Sequence, residues 1–429
     1  MFLPIGHSMK SLYRGYDRAT GGFARSGRKL AEAIQWGEIR DGWPTVLCFD
    51  RALFTKDITE LKRRTEINWP TIHTKLVKAP QERWVPHRLQ RQTFFANDLN
   101  TTAIHLREPL REFATAFLTE ANRRSRIDAV MAANTDYWQD ESMRLAARDL
   151  GIPFLVLSRE SYGIGRGRRY VTSVYDRAKF RFVGTGCAVA SATCESFMSA
   201  LPAMQGVTVR ATGWPRYDLW SDYADRSEAE RRTVTLMAYG DPIQVQYAAG
   251  NFADVLKVFV ASARAQLNEP PEQRLRYVIK LKKANEDGYI RDLVPDIDRV
   301  GIEIVSQTPL PELISESRAV IGYNTLAVLE ALLSNCAVIV PFWGDAERNV
   351  SDSLLHPDVA DDERVCYFPR SAAAFKDLSD QIVAGTLKPK ANRDDRLARF
   401  SRHSEMRSDR SSSLRVQDFV QEILKAKAP

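Results

Sequence analysis

Between Ile127 and Leu157 the chain contains a full crossover unit, and few architectures accept one. Ile127-Asp-Ala-Val-Met-Ala-Ala133 is a compact apolar run closed by Asn134-Thr-Asp136. The stretch from Trp138 to Leu150 places Leu145, Ala146 and Leu150 on one helical face. Gly151-Ile-Pro153 stops that helix, and Phe154-Leu-Val-Leu157 is the next apolar run. Strand, helix, glycine stop and strand in this order predict a parallel sheet, because parallel neighbours need a helical crossover.

The same grammar extends both ways. Thr45–Asp50 reads as a strand followed by a charged helix, and short apolar segments follow at Arg181–Val183, Cys187–Ala190 and Val207–Thr212. The charged stretch Ser221–Arg232 reads as a linker, after which the pattern restarts. Strands are expected at Thr233–Ala238, Tyr277–Leu281, Ile302–Val305, Ala319–Ile321 and Ala337–Val340, with helices at Phe252–Leu267 and Thr325–Leu333. At roughly 150 residues per domain, 429 residues allow two or three domains. The expectation is an α/β chain of two Rossmann-like domains with an interdomain cleft. Residues 1–225 form the first domain, 226–400 the second, and 401–429 a tail. That tail ends in an amphipathic helix carrying Val416, Phe419, Val420, Ile423 and Leu424, which must dock somewhere.

Composition narrows the partners. Sixty-one Lys and Arg against 54 Asp and Glu leave a net charge of +7, which favours phosphate-rich ligands or an anionic membrane face. Five scattered cysteines without C-x-x-C spacing fit a reducing cytosol. The first eight residues lack the apolar core of a signal peptide, and no run reaches the ~18–20 apolar residues of a membrane span, so a cytoplasmic protein is expected. Six histidines fall at no metal-ligand spacing, there is no Asp-x-Asp, and no metal or other cofactor is expected. His356 reads as a surface loop residue. The P-loop signature is absent, and Gly163-Ile-Gly-Arg-Gly167 lacks dinucleotide-loop spacing. Aromatic residues are spread out, without the stacking platform of a nucleic-acid binder.

The most informative segment runs from Val320 to Pro341. Its strand ends at Gly322 and a helix begins near Asn324–Thr325, so the first helical amides face out from the carboxyl end of a sheet, where anions bind. Asn324 or Thr325 can cap the helix or bond a phosphate, and Glu330, about one and a half turns on, can accept from ribose hydroxyls or a base amino group. An ordinary capped helix with an exposed Glu is the plainer reading. The segment Val320-Ile-Gly-Tyr323-Asn-Thr through Glu330-Ala to Val338-Ile-Val-Pro341 resembles the donor-binding segment of GT-B glycosyltransferases, particularly those of bacterial capsule and lipopolysaccharide (O-antigen) assembly.

In the first half, Asn134-Thr-Asp-Tyr-Trp-Gln-Asp140, Gly151 to Glu160, and Gly213-Trp-Pro-Arg-Tyr-Asp218 are similar to successive motifs of retaining β-Kdo transferases, which use CMP-β-Kdo. That resemblance implies Asp218 as nucleophile and Glu160 as the proton-transfer partner. It also implies a CMP-sugar donor and a lipid-linked glycan acceptor, while the basic charge and the amphipathic tail suggest peripheral contact with an anionic membrane. Another nucleotide-sugar or CDP-polyol transferase, or an inactive glycan-binding module of the same fold, is the alternative.

A carboxylate suits the nucleophile of a double displacement, and a second carboxyl can deprotonate the acceptor hydroxyl. Arg159 and Arg216 offer planar forks for phosphate or carboxylate, and Lys280 and Lys282 follow a strand towards the donor phosphate. Asp409-Arg-Ser411-Ser412-Ser-Leu-Arg415 resembles a nucleotide-contacting stretch of capsule transferases, with Arg410 where that family has glycine. The plainer readings are a turn with Asp218 as a helix cap, Glu160 paired with a nearby arginine, and solvated arginines.

Overall fold

The computed structural model describes residues 21–51, 54–90, 101–160, 165–223, 226–239, 251–282, 287–348, 353–407 and 409–427. The amino-terminal stretch, Gly163, Ile164 and Lys283 lie outside them. The chain divides into two compact units, residues 1–218 with 403–429 and residues 219–402.

The first unit is built on six parallel strands: β1 (Val46–Asp50), β2 (Thr71–His73), β3 (Ala129–Ala132), β4 (Phe154–Leu157), β5 (Gly186–Val189) and β6 (Thr208–Ala211). Their spatial order is β2-β1-β3-β4-β5-β6. Strands β3, β4 and β5 are buried along their whole length, which is why they read as unbroken apolar runs rather than alternating ones. The crossover unit appears as expected, with helix Trp138–Asp149 between β3 and β4. Arg181–Val183 joins no sheet; Phe182 is buried and its amide bonds the Ala203 carbonyl instead.

The second unit holds five parallel strands: β7 (Thr233–Met237), β8 (Arg276–Lys280), β9 (Ile302–Val305), β10 (Ser317–Ile321) and β11 (Ala337–Ile339). They are ordered β11-β10-β7-β8-β9. Counted within the unit this is the 3-2-1-4-5 order of a dinucleotide-type sheet, whereas the first unit has the 2-1-3-4-5 order of the flavodoxin type extended by one strand. Both orders reverse direction at one place, between β1 and β3 and between β7 and β10. Ligands of open parallel sheets bind at the carboxyl ends of strands beside such a reversal.

The tail does not stand apart. Helix Ser412–Lys427 lies on the first sheet, and its Val416, Phe419, Val420 and Ile423 share one core cluster with Val46, Cys48, Met131, Leu155 and Ala188. Gly186 makes room for it: a Cβ there would lie 2.6 Å from the Phe419 ring. The apolar face read from the sequence is therefore consumed by the sheet and is not offered to a membrane. No described helix is long and apolar enough to cross one.

Phe419→Ala should destabilise the chain by about 3–5 kcal/mol in denaturant titration, while Asp418→Ala on the exposed face should cost about 0.5 kcal/mol or less.

Candidate functional site

The reversal of the first sheet gathers ionisable side chains at its carboxyl edge. Arg51 follows β1, and its guanidinium lies 4.2 Å over the ring of Tyr137, which follows β3. The turn after β3 is an Asx turn, with the Asn134 side-chain oxygen accepting from the Asp136 amide at 3.1 Å. Asp140 enters in the first turn of the next helix. The loop after β4 is held to this turn by the Arg159 amide bonding the Ala133 carbonyl at 3.2 Å, and it presents Glu160. Glu160 pairs with Arg159 at 3.0 Å and keeps 44% of its side chain exposed, so it is an accessible carboxylate beside a cation.

Asp136 and Asp140 are 3% and 2% exposed, and one carboxyl oxygen of each has no hydrogen-bond partner among the described residues. Arg144, the buried cation nearby, is bonded to Glu141 and to the Thr135 carbonyl. Burial therefore pushes the carboxyl of Asp136 up to about 7, with Arg144 opposing and Glu160 adding to the rise. Burial likewise raises Asp140 to about 7, opposed by Arg144 and Arg51 and reinforced by Asp136 and Glu141. Sequence reasoning quoted this motif but gave these two acids no role, because nothing local shows that their side chains are buried. The usable signal was their place immediately after an unbroken apolar strand.

Asp218 and its motif turn out differently. Its carboxylate accepts from the amides of Ser412 and Ser413, at 2.8 and 2.7 Å, and from the Ser413 hydroxyl at 2.6 Å. It caps the helix of the tail, and it is 5% exposed. The expected nucleophile is thus held as a structural anion at a helix start, where the dipole and free amides favour it. Ser411 accepts from the Leu414 amide at 3.3 Å. Arg415 donates to the carbonyls of Thr212 and Glu405 at 2.9 and 2.7 Å, and also to the Arg410 carbonyl and the Ser412 hydroxyl. Of these tail residues, expected to contact nucleotide, Ser412 bonds Asp218, Arg415 bonds the Thr212 carbonyl just before the Gly213–Asp218 turn, and Ser411 bonds within its own helix start. Gly213 is required there, with φ of 72° and a would-be Cβ 2.4 Å from the Glu405 carbonyl oxygen.

Arg216 is likewise engaged. It donates to both oxygens of the fully buried Asp57, at 2.9 and 2.6 Å, and its own amide bonds the same carboxylate. Burial raises the Asp57 carboxyl, and Arg216 opposes that rise. This clasp reaches the candidate site through Trp214, whose indole N–H donates to the Ser158 carbonyl at 2.6 Å, two residues before Glu160.

At the reversal of the second sheet, Tyr323, Asn324 and Thr325 follow β10. The Tyr323 hydroxyl bonds the Ala346 carbonyl at 3.4 Å and its ring lies 6.0 Å from Tyr239, which follows β7. Asn324 adopts φ of 47°, and its side-chain oxygen accepts from the Leu354 amide at 2.9 Å. Thr325 caps the helix by accepting from Ala327, and Glu330 is partly buried where that five-residue helix ends. Gly322 allows the tight turn: a Cβ would meet Val328 at 2.7 Å. Lys280 donates to the carbonyls of Leu281 and Ser306, and Lys282 is exposed.

His356 is not a surface residue. It is 2% exposed, its Nδ1 accepts from the Asp358 amide at 3.1 Å, and its ring stands edge-on to Phe342. The contact ring of Phe342 and the amide bond to Asp362 pull the loop inward, and burial lowers its pKa, so it is neutral.

A groove of about 920 Å³ lies at the opposite, amino-terminal edge of the first sheet and is lined by Trp43, Leu118, Ile152 and Leu424 among others. It lacks the buried acids found at the reversal, so volume and chemistry point to different ends of the sheet.

No family model matches the sequence, and no curated protein matches it. Among solved structures, the wall teichoic acid polymerase TagF with CDPG is similar with a TM-score of 0.51, 9% identity and 99% of each chain covered. A putative UDP-N-acetylglucosamine 2-epimerase from Listeria monocytogenes is similar at 0.50 and 9% identity, over 90% of this chain and 98% of that one. At such identities the likeness is one of fold: two parallel-sheet α/β units of the GT-B kind.

Two outcomes are expected. Asp218→Ala should cost about 2–3 kcal/mol of stability by leaving buried amides unsatisfied, whereas Glu160→Gln should leave stability within about 0.5 kcal/mol. For Asp136 and Asp140 the folded chain holds protons that the unfolded chain has released. Their stabilising contribution is therefore complete below the ordinary value of 3.8 and is lost as pH rises towards about 7. Each should contribute a slope of about 1.4 kcal/mol per pH unit across that window. Asp140→Asn should flatten the fall in melting temperature and gain on the parent chain at pH 8.

Proposed function

We propose that this chain is a glycosyltransferase of bacterial surface-polymer assembly that takes its donor as a cytidine nucleotide. The observation that carries the reading is the cluster at the reversal of the first sheet. There Glu160, with 44% of its side chain exposed, pairs with Arg159, Arg51 lies over Tyr137, and two buried acids, Asp136 and Asp140, follow β3. That is the place where an open parallel sheet receives its ligand.

The finer donor reading is CMP-Kdo or a related 3-deoxy-ulosonic acid, resting on the resemblance of the Asn134–Asp140 and Gly151–Glu160 segments. The alternative donor is a CDP-polyol, and the fold shared with TagF, solved with CDPG, supports trying it. Both donors are polyanions, which agrees with a net charge of +7.

In this reading Glu160 accepts the proton of the acceptor hydroxyl as that oxygen attacks the anomeric carbon, and the nucleotide phosphate departs with the bonding pair. Arg159 orients Glu160 and shares its charge with the donor's carboxylate or phosphate. Tyr323, Asn324, Thr325, Glu330, Lys280 and Lys282, in the second unit, are the residues assigned to the nucleotide. No metal is invoked. A double displacement through Asp218 would require that carboxylate to leave three hydrogen bonds at the start of the last helix. We therefore assign a single displacement without Asp218 as nucleophile, which retains the configuration by a front-face route and inverts it by back-face attack.

Melting temperature measured with CMP, CDP, UDP, GDP and ADP tests the donor. A ligand at a hundred times its Kd stabilises the native state by about 2.7 kcal/mol. Stabilisation by CMP or CDP is expected; preference for UDP or GDP overturns the cytidine reading, and no response favours a glycan-binding module. With the donor known, Glu160→Gln should lower kcat at least about a hundredfold. A product of retained configuration, lost in Asp218→Asn, would restore the double displacement.

A further inference from the structure

We propose that Asp136 and Asp140, two buried acids with unpartnered carboxyl oxygens after β3, are specificity-determining residues that control the admission of an anionic donor to the site of Glu160. The proposal rests on the reading that the Glu160 site receives such a donor.

Charge and position carry it. Both acids sit at the reversal between β1 and β3, and each has a buried carboxyl oxygen without a partner among the described residues. The end of β1 supplies Arg51, which lies over the Tyr137 ring. The helix of Asp140 itself supplies Arg144, bonded to Glu141 and the Thr135 carbonyl. The end of β4 supplies Arg159, bonded to Glu160. Helix Gly165–Arg177 supplies Tyr175, whose hydroxyl bonds Thr135 at 2.6 Å, and helix Thr74–Trp84 supplies Lys78, 5.9 Å from the Trp138 ring. Arg144 and Arg51 act on the acids only through space, and among the described residues no ion pair within 4 Å joins any of these cations to Asp136 or Asp140.

Two buried carboxylates without bonded cations, next to a third at Glu160, are unstable against taking up protons. Burial sets that uptake near neutrality for both. Below it the region carries the Glu160 charge with Arg159 and Arg51 around it, and attracts a phosphate or sugar carboxylate. Above it two negative charges are added and the same groups are repelled. Because the two acids influence each other, they titrate as a pair. No bond is made or broken at either residue, so they act on admission of the donor and not on the chemical step.

The test uses the full chain, with CMP-Kdo and CDP-glycerol as anionic probes and uncharged cytidine as control. Affinity for the anionic probes should weaken about tenfold per pH unit above neutrality, with cytidine binding unchanged. In turnover the loss should appear in KM, with kcat nearly flat. Asn keeps the shape and stays neutral, so the Asp136→Asn/Asp140→Asn double variant should bind the probes at pH 8.5 as the parent chain does at pH 6, and each single variant should recover only part of that affinity. Equal parent affinity at both pH values overturns this proposal alone, as does a weakening that persists in the double Asn variant. Failure to bind either probe or cytidine at any pH overturns the functional reading and this proposal with it. A loss confined to kcat would make the pair part of the chemistry and overturn the admission role.

Discussion

The first unit depends on a carboxylate at the head of the last helix. Asp218 satisfies two backbone amides and a hydroxyl at the start of Ser412–Lys427, some 194 residues further along the chain. That bond returns the tail to the first unit after the whole of the second has been built. The apolar face of the helix then supplies Val416, Phe419, Val420 and Ile423 to the core against the sheet. Arg415 fastens the other side of the turn, donating to carbonyls that would otherwise be buried without partners. Because Arg216 is held by Asp57 in the same network, helix Phe54–Arg64 is fixed to the turn as well.

The order established by this clasp passes to the functional edge through Trp214. Its indole reaches the Ser158 carbonyl, so the loop that presents Glu160 is braced from beneath by buried, fully engaged groups. The two kinds of acid have opposite surroundings. Asp218 and Asp57 are buried with donors aimed at both oxygens, so they serve as hydrogen-bond acceptors of the framework. Asp136 and Asp140 are buried with fewer donors than lone pairs, which favours the protonated form. Glu160 alone of these five keeps substantial exposure, and that separates a group able to meet a substrate from groups that hold the scaffold.

Much of the fold was legible. Strands at Thr45–Asp50, Phe154–Leu157, Thr233–Ala238 and Ala337–Val340 are apolar runs bounded by turn residues, and each is a strand of the structure within a residue or so. Parallel pairing followed from the helices between them. Glu160 paired with an arginine and Asp218 as a cap were among the plainer readings of the sequence, and the contacts correspond to both. The burial of His356 was not legible. Its neighbours Leu354-Leu355 and Pro357 resemble a loop, and only Phe342 and Asp362, brought in by separate elements, enclose it.

Periodicity and stop signals are local, so the sequence by itself determined most of the strands, the two parallel sheets and the amphipathic tail, but not the short strand Thr71–His73 or the loop at Arg181–Val183. Which residues a motif faces is not local. Gly213–Asp218 and Ser411–Arg415 look like two ligand-binding motifs when each is read alone, because Asp, Ser and Arg carry the same hydrogen-bonding groups whether they meet a substrate or a backbone. Only the tertiary structure decided that they meet one another. It also decided strand order, and with it the reversal that brings Arg51 over Tyr137 and sets two acids with raised pKa beside Glu160. Burial and counter-charge are properties of the assembled neighbourhood, and the same Asp is an ordinary anion wherever water reaches it.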